Sequence, residues 1–268
     1  MRFGFVLPGG PAPVQLEQAE IAEAAGWDGI FVWEGPYGFD AWSVLAAMAA
    51  RTRRIRLGTM LTPLPWRRPW KLASQAATLD QLSGGRAILA VGLGATGLGD
   101  FGEDEDRRRR AVLLDEGIDL VRALWRGESR FEGSRLRYDL SEREDFLRLG
   151  RPVQQPGIPI WVVGVWPRPK SMQRVLRCDG LLPMYKDPDS TMRALTPADI
   201  RDIGAWLRDR GVRPDIVVEG ETPRDDPRPW AEAGATWWID ARWQLPHDSD
   251  ERRRLVRERL EAGPPAYS

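Results

Sequence analysis

Along this chain, short apolar runs alternate with longer segments in which apolar residues recur every three or four positions. Eight such pairs can be read. The runs RFGFVLP (2–8), DGIFVWE (28–34), RIRLGTMLTPL (54–64) and RAILAVGLG (86–94) predict the first four strands. PIWVVGVW (159–166), DGLLPMY (179–185), PDIVVEG (214–220) and ATWWIDA (235–241) predict the last four. RAILAVGLG is nearly all apolar, as a strand covered on both faces is. The intervening segments carry helix signals. Asp40 and Thr196 are N-caps, Pro69 suits a first turn, and Gly84-Gly85 is a stop. Leu114, Ile118, Val121 and Trp125 recur on one face of the fourth helix. Eight strand–helix units predict an α/β chain folded as one (β/α)8 TIM barrel, a single domain over 1–268. The polar stretch at about 128–157 predicts an excursion between units four and five. A doubly wound sheet would need a Gly-rich fingerprint after the first strand, and VLPGGPAP lacks its spacing.

Composition narrows the function classes. Lys plus Arg equals Asp plus Glu, 39 each, so no overall charge draws the chain to nucleic acid. No apolar run is long enough for a membrane helix. The opening MRFGFVLPGG is broken too early by Pro8 for a signal peptide and reads as a strand. One cysteine, Cys178, allows no internal disulfide, suits the cytoplasm, and is read as a packed small residue. The one histidine, His247, is read as a surface loop residue, and metal sites are not expected. Thirteen tryptophans are expected chiefly in the core, with a few free to line an aromatic pocket.

In a TIM barrel the chemistry lies at the C-terminal ends of the strands. Here those ends hold glycine, tryptophan and aliphatic residues, with few acids or bases and no lysine. Such a mouth suits a flat, apolar ligand whose own atoms carry the reactivity. The loop after strand seven carries Glu219, Glu221, Asp225 and Asp226, which argues against a phosphate there.

The block RIRLGTMLTPLPWRRPWKLASQAATLDQLSGGRAILAVGLG resembles the bacterial luciferase-like family of flavin-dependent oxidoreductases and monooxygenases. WDGIFVWE, IPIWVVG, CDGLLP and GATWWID extend the likeness in order over about 240 residues. The resemblance implies a barrel that binds FMN or the deazaflavin coenzyme F-420 at its strand ends. It implies a bulge with a non-prolyl cis peptide at Met60–Leu61, so Met60, Leu61 and Thr62 become cofactor residues. Gly92, Leu93 and Gly94, continuing into Ala95, Thr96 and Gly97, would let backbone approach the cofactor edge. Gly164, Val165 and Trp166, at the end of strand five, would be further cofactor residues, and Arg168 and Lys170 behind them are candidates to hold a phosphate. Relatives often dimerise, and apolar residues of helices two and three are candidates for that contact.

Several residues depart from the family pattern. Many relatives carry a histidine after strand two; here the run is Trp33-Glu34-Gly35-Pro36-Tyr37. Glu34 is therefore the candidate catalytic residue, as proton donor or substrate anchor, with a structural ion pair as the alternative. Leu93 stands where the luciferases have a phosphate-binding arginine, and Trp166 is bulky for its loop. The leading expectation is a flavin- or deazaflavin-dependent oxidoreductase or monooxygenase acting on a small organic molecule, with neither nucleic acid nor membrane as partner. The alternatives are a barrel that has lost its cofactor and binds a ligand or partner, and a carboxylate hydrolase using Glu34 and Glu219.

Overall fold

The computed structural model describes residues 1–94, 102, 106–187, 189, 191–246 and 249–266. Its strands are β1 (Arg2–Leu7), β2 (Gly29–Val32), β3 (Arg56–Thr59), β4 (Thr62–Pro63), β5 (Ala87–Gly92), β6 (Arg130–Glu132), β7 (Arg137–Asp139), β8 (Ile160–Trp166), β9 (Gly180–Lys186), β10 (Met192–Arg193), β11 (Asp215–Gly220) and β12 (Trp237–Ala241). Its helices are α1 (Ala12–Ala24), α2 (Ala41–Arg51), α3 (Pro69–Ser83), α4 (Arg107–Arg126), α5 (Glu144–Leu149), α6 (Pro169–Val175), α7 (Pro197–Arg208), α8 (Arg228–Glu232) and α9 (Ser249–Glu261). Parallel pairing runs β1–β2–β3–β5–β8–β9–β11–β12 and back to β1. This is a closed eight-stranded barrel, with β4 continuing the third strand and helices flanking it.

The helix ends follow the local chemistry. Asp40 accepts the Ser43 N–H at 2.7 Å and starts α2. Gly84, at φ 67°, ends α3 in the left-handed region where glycine is favoured. Leu114, Ile118, Val121 and Trp125 of α4 are all buried against the barrel. The polar stretch between α4 and β8 is built from the β6–β7 hairpin and the short helix α5.

The third strand departs from a simple reading. RIRLGTMLTPL looks like one strand, but it is cut into β3 and β4. Leu57 and Gly58 pair with Ala87 and Ile88, whereas Thr62 and Pro63 pair with Val91 and Gly92. The third strand therefore holds one residue more than its partner between those pairs, which is a β-bulge. The Met60–Leu61 peptide inside it is cis.

The core has two layers. The larger lies between barrel and helices. The smaller fills the barrel axis, where Phe31, Trp161 and Trp237 meet with ring centroids 5.2–6.0 Å apart. Small residues opposite make this possible: a Cβ on Gly180 would lie 2.0 Å from Trp161 Cδ1, and one on Gly4 2.8 Å from Phe31 Cε2. Large rings against glycines close the lower barrel as a packed floor.

Candidate active site at the barrel mouth

Above that floor the strand ends enclose a cavity of about 750 Å³. Met60, Leu61, Val163, Leu182 and Val217 supply its apolar wall. Strands normally show alternate residues to one face. The bulge places the consecutive pair Met60 and Leu61 on the same cavity. A segment after β9 adds Ala194 and Leu195 to the wall. It is tied down by β10 pairing with β9 and by Arg193, whose guanidinium donates to both oxygens of Asp199 at 2.8 Å. Asp199 also completes a capping box with Thr196 at the start of α7. Arg193 holds the Asp199 carboxyl down at about 2.

The bulge is braced from below. Thr59 Oγ1 donates to the Ala90 carbonyl at 3.2 Å, and Thr62 Oγ1 lies 3.0 Å from Thr59 Oγ1. Thr62 donates to Glu34 Oε2 at 2.7 Å, and Trp42 Nε1 donates to the same oxygen at 3.2 Å. The other oxygen, Oε1, takes Arg67, whose guanidinium also reaches Gln75. Glu34 is only 10 % exposed, so both of its oxygens are engaged under the bulge, and it does not line the cavity.

The other expected residues lie in three places. Thr62 is buried beneath the wall. Gly92 backs onto it, since a Cβ there would lie 3.0 Å from Leu61 and 3.3 Å from Val163. Gly94, at φ 84°, sits under the Trp66 ring, and Leu93 packs against the outer core. Gly164 faces outward onto Leu181, Val175 and Met172. Val165 is buried, and its N–H donates to Ser171 Oγ at 2.9 Å. Trp166 turns away from the mouth to meet Trp206 of α7 edge-on at 6.0 Å, leaving the cavity open. Arg168 donates to the Asp187 carbonyl at 2.6 Å, and Lys170 is exposed at the start of the seven-residue helix α6. Ala95, Thr96, Gly97 and His247 lie outside the described residues. Cys178 is buried, which pushes its thiol up to about 11. Among the described residues no group of His, Cys, Asp and Glu is arranged to hold a metal. No helix among them is long and apolar enough to cross a membrane.

Sequence reading offers an ion pair for Glu34 without naming its partner Arg67, which lies 33 positions away with nothing local to couple the two. It offers Glu219 as a hydrolase carboxylate but does not place it on the wall of this cavity. Strand alternation puts it on the same side as Val217, and it is the carboxylate of β11 that lines the cavity. Solvent reaches it there, yet surrounding protein crowds it. That loss of water disfavours the charged form and raises its carboxyl above the usual value, although the Trp243 indole N–H at 3.2 Å works the other way.

A closed barrel with its bulged third strand beneath a mouth cavity can be compared with known proteins. The pattern that defines the luciferase-like monooxygenases matches residues 1–262. The chain belongs to that family. A Mycobacterium tuberculosis protein, provisionally named as a coenzyme F-420-dependent oxidoreductase, is 33% identical over 185 residues, 66% of this chain and 53% of that one. The 4-hydroxyprotoasukamycin monooxygenase of Streptomyces nodosus subsp. asukaensis is 34% identical over 157 residues, 55% of this chain and 40% of that one. These alignments span about half of those two relatives' own lengths or less. Among solved structures, the monooxygenase RslO1 of Streptomyces bottropensis superposes with a TM-score of 0.71 over 98% of both chains, at 22% identity. That last likeness establishes the luciferase-like fold. The two sequence relatives differ in chemistry, one named for the deazaflavin coenzyme and one as a monooxygenase.

Proposed function

We propose that this luciferase-like protein is an oxidoreductase that uses FMN or the deazaflavin F-420 on a small organic substrate. The observation that carries the reading is the apolar cavity at the strand ends, walled by Met60 and Leu61 side by side. Family membership and the relatives' names support it. A cavity of about 750 Å³ is ample for a planar ring system with space left for a second small molecule. The residues present fit the ring. Met60 and Leu61 would support one face, Val163 and Leu182 would exclude water, and the bare backbone of Gly92 keeps the Leu61 wall flat. Arg168 and Lys170 would meet a phosphate on the rim beside β8. When bound, either cofactor supplies hydride chemistry, and FMN also supplies oxygen activation. The chain's own contribution is position and dryness. Glu34 serves as the brace of the bulge, through Thr62, Trp42 and Arg67.

The test is a titration of the purified protein with FMN and with F-420, following tryptophan fluorescence. Saturable quenching at micromolar concentration by one of them is expected. Silence with both would replace this reading with that of a cofactor-free barrel. Replacing Arg168 and Lys170 together by alanine should weaken the bound cofactor by about 1–3 kcal/mol. Unchanged affinity would move the phosphate elsewhere.

A further inference from the structure

The mouth cavity is apolar except along one side. Of its lining, only Glu219, Arg224, Asp225 and Asp226 carry charge. The last three come from the loop after β11 and are occupied within it. Arg224, whose side chain is 73% exposed, faces Glu221 at 3.8 Å. Asp225 accepts the Glu221 N–H at 2.7 Å. Asp226 pairs with Arg228 at 2.9 Å, which holds its carboxyl below the usual range. Glu219 differs from all three. It belongs to a barrel strand, one step above Val217, on the face that looks into the hollow. Trp243 Nε1 donates to its Oε2 at 3.2 Å, and among the described residues it has no cationic partner. A carboxyl on an apolar wall, held by a single donor, has bonding capacity left for a ligand.

We propose that Glu219 is the group that recognises the substrate, and that this substrate is an uncharged molecule offering a hydroxyl or carbonyl. The inference rests on the oxidoreductase reading above, and it names that site's substrate class. An ionised Glu219 accepts from a hydroxyl, and a protonated one donates to a carbonyl, so either state serves an uncharged oxygen. A phosphate, carboxylate or sulfonate would meet Glu219 with like charge, since the charges of the neighbouring loop are taken up within it. The rest of the wall, from β3 through β9, brings no charge to offset that carboxylate.

The experiment uses two probes of one shape, 2-naphthalenemethanol and 2-naphthalenesulfonate, titrated by calorimetry into the protein both with cofactor added and without it. The sulfonate stays ionised throughout. At pH 7 the alcohol should bind at least tenfold more tightly than the sulfonate. In Glu219→Gln the two should fall within threefold, chiefly because the sulfonate gains. In the wild type the same gain should come without mutation, the sulfonate tightening as pH falls towards 4.5 and Glu219 takes its proton. The wild-type pH series keeps the test decisive if the variant folds poorly. Equal affinity of the two probes for wild type at pH 7, or no binding of the alcohol at millimolar concentration, overturns the proposal. So does a preference that neither Glu219→Gln nor acid reduces. Cofactor titration of the same samples separates the two claims. Normal cofactor affinity with an unmoved probe preference defeats Glu219 alone; probe discrimination without cofactor binding defeats the oxidoreductase reading alone.

Discussion

Gly180 has no side chain because Trp161 occupies the space one would need. Its backbone is ordinary extended strand, so the argument is one of volume alone. Gly180→Ala forces a Cβ to 2.0 Å from the Trp161 ring and should cost about 1–3 kcal/mol in urea denaturation. A loss under about 0.5 kcal/mol would show that the aromatic floor can shift aside. Glu34 invites a similar test. Its carboxylate meets Thr62, Trp42 and Arg67 with little water present, so Glu34→Gln should lower stability by about 1–3 kcal/mol. Glu219 predicts the opposite sign. A carboxyl whose folded value is raised holds its proton longer than the unfolded chain does, so stability is lost as pH rises from 4.5 through that higher value. Glu219→Gln should therefore stabilise the protein at pH 7 and leave it unchanged near pH 4, as thermal melts at the two pH values would reveal.

At the scale of elements, the start of α7 is the sharpest case. Thr196 and Asp199 cap the helix, and Arg193 ties the cap to β10 and hence to the cavity wall. Asp199→Asn should cost of order 1 kcal/mol at neutral pH, allowing for solvent around the partly exposed arginine. Because the Asp199 carboxyl sits at about 2, its contribution is intact above about pH 4 and fades as pH falls towards 2. Denaturation curves of variant and wild type should converge over that range. Elements of this kind were legible in sequence because their signals are local. Asp40, Pro69, Gly84 and Thr196 each act within four residues, and the eight apolar runs mark eight barrel strands. Features resting on distant contacts were not. Periodicity could not place the break in RIRLGTMLTPL, which exists only relative to the register of β5. The β6–β7 hairpin hid in a polar stretch, because its strands bury one face only in part. Trp166 reads only as bulky for its loop, because the position of Trp206 alone shows which way it turns.

For the whole molecule, cofactor binding should register as stability. A ligand that binds only the folded state, present at a hundred times its dissociation constant, adds about 2.7 kcal/mol. In a chain of this size that raises the midpoint of a reversible melt by about 5–10 °C. The cofactor that shifts the melt is the one the cavity takes, and a melt moved by neither would tell against the ring site as a whole. The packed rings of Phe31, Trp161 and Trp237 bear on how that cavity works. They make the barrel a blind well rather than a tube. Whatever occupies the cavity must therefore enter and leave on the side of the strand ends, because the stacked rings deny it a second exit.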